Sequence, residues 1–219
     1  LGKIYLIKRK WGDAERHFMA TGMSPEPGDR KTAEKGQLLV TRLRKTAFWA
    51  REQTPLLDVF FSPKVAAAAD PAWRKSWTAG RSNALKKMYD RLGWRIPEPI
   101  PVYVYKNDDD AYEISDQDTA HSFRYSWWLC HTRADSTPGH DLAHQVVSRR
   151  FGGRPASVPL VEGLCCYFDD SGADRHAGAR KLQKAGKLRD LVDLHAHQKF
   201  SDGAMEASES FVAFVIETY

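Results

Sequence analysis

Cysteine is scarce, with three in 219 residues, two of them adjacent as Cys165-Cys166. That number and spacing exclude a disulfide framework. Such cysteines read as small buried apolar side chains. Long hydrophobic runs are missing too. No stretch approaches the roughly 20 apolar residues that a membrane-spanning helix needs. No signal-peptide pattern opens the chain, and its first residue is Leu rather than Met. The expectation is a fragment whose compartment is not written in the sequence. Basic–aromatic clusters and nucleic-acid module patterns are also lacking, so no nucleic-acid partner is expected.

What is present fits a globular chain. Hydrophobic residues make up 42% and charged residues 28%, enough for one ordinary domain and a small appendage. The net charge of +5 is unevenly placed. Residues 1–54 hold 12 Lys/Arg and 6 Asp/Glu, whereas residues 55–219 hold 21 and 22. This split predicts two modules. A basic first module could meet an acidic partner, and dispersed Lys and Arg on helices also read as a solvated face.

Residues 1–25 read as two short helices, ended by Pro25 and Pro27. Leu1-Gly2, Tyr5, Ala14 and Phe18 fall at offsets that resemble the later part of a tetratricopeptide repeat. A plain helical hairpin accounts for them as well. The resemblance implies further repeats upstream, since such units need stacked neighbours, and a protein partner held by them. Asp29 to Thr54 reads as another helix, with Leu38, Leu39, Leu43, Ala47 and Ala50 on its apolar face. The expected division is a partial repeat over 1–27, a helical repeat or linker over 28–54, and a larger domain over 55–219.

Leu57 to Phe61 reads as a short strand. Asp70 and Pro71 suit the cap and first position of a long helix that Gly93 stops. Pro99 to Lys106 reads as a second strand and Phe123 to His131 as a third. The acidic run Asp108-Asp109-Asp110 lacks a calcium-loop spacing and reads as a solvated turn. After Asp174 the chain reads as helical to about Phe200. Glu209 to Tyr219 then forms one more amphipathic helix, with Phe211, Phe214 and Val215 inward.

The densest chemistry lies between these elements. Ser136 or Thr137 can cap a helix that Pro138 starts, and Arg149-Arg150 suit its C-terminal dipole. On it, His140 and His144 fall one turn apart on one face. Val161-Glu162-Gly163-Leu164 follows, placing Glu162 eighteen residues after His144 on a second helix. Two His and one Glu with a fourth position open is a catalytic zinc arrangement. A pair of histidines at this spacing also arises by chance in core or surface helices. The residue after the first His, usually Glu in helical zinc-peptidase motifs, is Asp141.

From residue 57 onward the order strand, long helix, strand, strand, His helix and Glu helix resembles the gluzincin, or peptidase MA-like, metallopeptidases. The segment Val158-Pro159-Leu160-Val161-Glu162-Gly163-Leu164-Cys165-Cys166-Tyr167 is similar to that family's second-helix signature, and Ser208 to Tyr219 to a later helix. The likeness covers about three quarters of the chain. Several bacterial members carry tetratricopeptide repeats beside the protease domain. The resemblance implies an α+β, mostly helical fold with a small mixed or antiparallel sheet. It implies one Zn2+ held by His140, His144 and Glu162, with Asp141 in the place of the catalytic acid/base. Peptide or protein would be the substrate, pairing as a strand with the segment from Phe123 to His131.

Metal-ligating His residues need an acceptor on the other ring nitrogen. Asp169 and Asp170, seven and eight residues beyond Glu162, are candidates, although a solvated pair at a helix end is an equal reading. His195, His197 and Tyr219 are candidates for a transition-state stabiliser, and each also reads as structural. Asp141 is shorter than Glu by one carbon, about 1.5 Å of reach. A base must come within about 2.6–3.2 Å of the proton it takes. Two expectations follow: an attenuated zinc peptidase, or a zinc-binding interaction module that does not cleave.

Overall fold

The structure, a computed structural model, describes residues 9–115, 128–151, 157–172, 174–188 and 203–219. Leu1 and Tyr5 of the repeat-like segment, residues 123–127 of the expected third strand, and His195 and His197 lie outside the described residues. The chain is α+β, mostly helical, with one four-stranded mixed sheet of order β1-β2-β3-β4. By contact it divides into two compact units, residues 1–78 with 98–135 and residues 79–97 with 136–219.

The first unit begins with helices α1 (Trp11–Gly22) and α2 (Pro27–Arg44). Ala14 and Phe18 recur at four-residue spacing on α1, and Val40 and Leu43 at three on α2, so each helix offers one apolar stripe. Gly36 admits the Phe18 ring, for a β-carbon there would lie 2.5 Å from it. Both stripes join Phe60, Tyr103, Tyr105, Ala111 and Leu129 in one buried cluster.

The helix expected to run to Thr54 ends at Arg44. Thr46 is fully buried, and its hydroxyl donates to the Leu43 carbonyl at 2.6 Å, drawing the chain into a 3-10 turn over Lys45–Phe48. Strand β1 (Ala50–Gln53) then pairs antiparallel with β2 (Leu57–Phe61). The Arg51 guanidinium grips Asp58 across the pair at 2.6 Å. The boundary expected near residue 54 therefore falls in a hairpin turn, where Thr54 Oγ1 accepts from the Leu57 amide at 3.0 Å. Residues 28–53 supply Val40 and Leu43 to the buried cluster and strand β1 to the sheet.

β2 pairs parallel with β3 (Ile100–Tyr105), and β3 parallel with β4 (Cys130–Arg133). Every residue of β2 and β3 is buried, as expected of parallel strands covered on both faces. Ser62 caps α3 (Pro63–Ala68), and Asp70 caps α4 (Pro71–Leu92) by accepting from the Trp73 amide at 2.7 Å. Trp73 and Trp77 pack edge-on against Phe61. The acidic run is not a solvated turn. It opens helix α5 (Asp108–Ser115), and the buried Asp110 accepts from Ser62 Oγ and from the Lys106 amide.

Residues of α4 from Ala79 onward belong to the second unit, with α6 (His140–Arg150), α7 (Val158–Tyr167), α8 (Ala177–Lys184) and α9 (Ala204–Thr218). Neither Ser136 nor Thr137 caps α6. Its N-cap is Gly139, and Ser136 is engaged by Arg81, whose Nη2 donates to the Ser136 carbonyl at 2.6 Å. Among the described residues, the helix after Asp174 ends at Lys184, with Gly186 at φ +63° beyond it. Helix α9 starts five residues earlier than expected and buries its small face, Ala204, Ala207, Ser208 and Ala213, together with Val212. Phe211, Phe214 and Val215, expected inward, are exposed. The reason is Gly163 on α7: a β-carbon there would lie 2.5 Å from the Ser208 carbonyl oxygen, so the two backbones nearly touch. Only small side chains fit between helices that close. Among the described residues no helix is long and apolar enough to cross a membrane.

Candidate metal centre

The centre is assembled by α6 and α7, two helices of one compact unit. His140 and His144 share a face of α6 by their four-residue spacing. Their rings meet edge to face, with centroids 5.0 Å apart. Leu142, Ala143, Val146 and Val147 bury the rest of the helix and fix its rotation.

Helix α7 brings Glu162 to both imidazoles. Its Oε2 lies 3.6 Å from His140 Nε2 and 3.4 Å from His144 Nε2. One ligand atom from each of the three lies within 4.8 Å of the others. His144 is almost fully buried, and His140 and Glu162 are partly so. This is the only such group of three found among the described residues, and it could hold a metal ion.

Electrostatics tie the three together. Burial disfavours a charged His140, but the contacts with Cys166 and Glu162 and the charge of Asp141 outweigh it, raising its pKa to about 10. Burial likewise disfavours an ionised Glu162. The two imidazoles outweigh that and lower it to about 2. The Cys165 thiol, fully buried beside Glu162, is pushed well up.

The two helices are held close by glycine. A β-carbon on Gly139, just before His140, would lie 1.6 Å from the Phe168 carbonyl oxygen, just past Tyr167 at the end of α7. The Gly139 amide donates to the Asp169 carbonyl at 3.2 Å. The start of α6 is thus clamped to the end of α7, and Gly163 presses α7 against α9.

The carboxylates expected to support the histidines are engaged elsewhere. Asp169 pairs with Arg175 at 2.7 Å and accepts from the Ser171 amide at 2.8 Å. Burial pushes the Asp169 carboxyl up, and these partners hold it below its usual range. Asp170 pairs with Lys87 at 2.8 Å. Arg175 explains the difference: itself mostly buried, it needs the Asp169 and Glu209 carboxylates as partners. The group that reaches the far nitrogen of His140 is Cys166, with Sγ 4.0 Å from Nδ1. That contact was open to sequence reasoning, since Cys166 follows Glu162 by one helical turn. Tyr219, 95% exposed at the end of α9, does not belong to the three-ligand group.

No protein-family model, curated protein or solved structure matches the chain.

Proposed function

We propose that the chain is a gluzincin-like zinc metallopeptidase domain in which His140, His144 and Glu162 hold the ion and Asp141 takes the place of the general acid/base. The observation that carries the reading is the convergence of two imidazole nitrogens on one carboxylate oxygen. Zinc bonds of about 2.0–2.1 Å at the tetrahedral angle put ligand atoms about 3.3 Å apart. The His144–Glu162 and His140–Glu162 separations of 3.4 and 3.6 Å fit such edges with little adjustment. Two neutral imidazoles and one carboxylate suit zinc, and three protein ligands leave a tetrahedral position for water or substrate.

A bound zinc ion supplies Lewis acidity, which polarises a peptide carbonyl and brings the pKa of a water to about 7. The chain's own residues do the rest. Glu162 contributes the negative charge that offsets the cation. The buried His144 and the clamped His140 fix the direction from which ligands approach. Asp141 adjoins His140, and its charge already acts on that ring. In this role it accepts a proton from water and returns it to the leaving amine. The shorter reach of Asp makes turnover slow, since a misplacement near 1 Å costs on the order of 100-fold.

The element order from β2 through α7 supports the family reading, as does the mostly helical α+β composition. The same departure at Asp141 favours a second reading, a zinc-binding protein-interaction module that does not cleave, with tetratricopeptide-like helices selecting the partner. Turnover separates the two. Zinc-loaded protein should cleave an unfolded protein substrate slowly, and a chelator should stop it. Zinc binding without cleavage, in both the native protein and D141E, would leave the interaction module.

A further inference from the structure

The three-ligand group leaves one atom of His140 to be accounted for. Its Nε2 faces Glu162 and its Nδ1 faces the sulfur of Cys166. A neutral imidazole carries one proton, and a ligating Nε2 must present its lone pair. The proton then sits on Nδ1 and points at Cys166 Sγ, 4.0 Å away.

We propose that Cys166 is the positioning residue for His140, with its sulfur holding the Nδ1–H and so selecting the ring tautomer that offers Nε2 to a divalent cation. The proposal rests on the metal-centre reading above. Three features support it. Glu162 and Cys166 lie four residues apart on α7, so one helix face carries both the ligand and the support. The packing of Gly139 against Phe168 fixes the start of α6 on α7, so the contact does not depend on a mobile loop. The carboxylates that could have served, Asp169 and Asp170, are committed to Arg175 and Lys87.

A thiol is a weaker acceptor than a carboxylate. The site is therefore tuned toward looser binding than the same three ligands would give with an acid behind His140. Changes of 10–100-fold in metal affinity are typical when such supporting groups are altered. Cys166→Asp should tighten zinc binding on the order of 10-fold, Cys166→Ser should stay near the native value, and Cys166→Ala should loosen it several-fold.

Zinc affinity is measured by competition with a chromophoric chelator on the full chain, beside His140→Ala as a ligand-loss control. The tautomer is read by nitrogen-15 NMR of histidine-labelled, zinc-loaded protein, which needs no variant to fold. The expected result is a His140 ring protonated on Nδ1, with affinity ranked Asp above Ser and Ser above Ala. Coordination through Nδ1, or equal affinity in all three variants, overturns the proposal while leaving the metal centre intact. Native protein that binds zinc no better than His140→Ala overturns the centre itself.

Discussion

The α-carbon of Gly139 faces the carbonyl oxygen of Phe168 so closely that a β-carbon would lie 1.6 Å from it. Backbone cannot swing aside as a side chain can, so alanine there must push the start of α6 off the end of α7. Overpacking costs typically about 1–3 kcal/mol, and a backbone clash belongs at the upper end. His140 is the next residue, so the displacement also separates it from Glu162. Gly139→Ala should therefore lower Tm by several degrees and weaken zinc binding at least 10-fold. A variant with native zinc affinity would mean the clamp does not set the ligand geometry.

The three candidate ligands should be unequal in what their loss costs. His144 is almost fully buried beside Glu162, so His144→Ala removes a ligand and opens a cavity. His140→Ala removes a more exposed side chain. Both should lower zinc affinity by at least 100-fold, but His144→Ala should also destabilise the metal-free protein by about 1–3 kcal/mol. In the native protein, zinc at 100 times its Kd should add about 2.7 kcal/mol of stability. Calorimetric scans with zinc and with chelator test all three statements. Zinc that raises Tm equally in native protein and both variants would place the ion elsewhere.

The pH dependence of the metal-free protein follows from the opposed shifts of His140 and Glu162. His140 is raised from 6.5 to about 10, so its contribution is complete below 6.5 and is lost as pH rises toward 10. Glu162 is lowered from 4.5 to about 2, so its contribution is complete above 4.5 and is lost as pH falls toward 2. Both are in force between about pH 4.5 and 6.5. The stability difference between native protein and Glu162→Gln, measured in chelator, should peak in that window and shrink on either side. Zinc affinity should keep climbing above pH 6.5, because a proton on His140 competes with the cation. A difference that stays flat from pH 3 to 9 would contradict the coupling.

What could be read from the sequence was what depends on local spacing. His140 and His144 are one turn apart in any α-helix. Asp70-Pro71 and Gly93 mark the ends of α4 by capping chemistry alone, and the short apolar and aromatic runs at 57–61 and 99–106 mark β2 and β3. What could not be read depends on tertiary partners. Lys45 to Gln53 carried helix-like composition, yet the buried Thr46 and the Arg51–Asp58 pair made it a turn and a strand. Phe211, Phe214 and Val215 suggest the inward side of α9 by their spacing, but all three are exposed. The close approach to Gly163 selected the small-residue side for burial instead. Asp169 lay at a suitable distance from Glu162 in sequence, but Arg175 claimed it. The glycine contacts that hold the site together are invisible in one sequence, because a glycine looks the same whether it faces solvent or another backbone.

In the proposed peptidase, Asp141 is the residue on which turnover depends. It adjoins His140 and its charge acts on that ring, so the position is electrostatically joined to the site. Replacing it with Glu adds one carbon, about 1.5 Å of reach, without changing the charge. If the acid/base role is held back by reach alone, Asp141→Glu should raise kcat/KM on a peptide substrate on the order of 10–100-fold. Zinc affinity should stay within a few-fold of native, since the ligands are untouched. Asp141→Asn, which keeps the size and removes the base, should lower any native turnover by a further factor of about 100 or more. Activity equal in all three forms would remove residue 141 from the chemistry. Absence of activity in all three, with zinc bound at one ion per chain, would favour the interaction module over the peptidase.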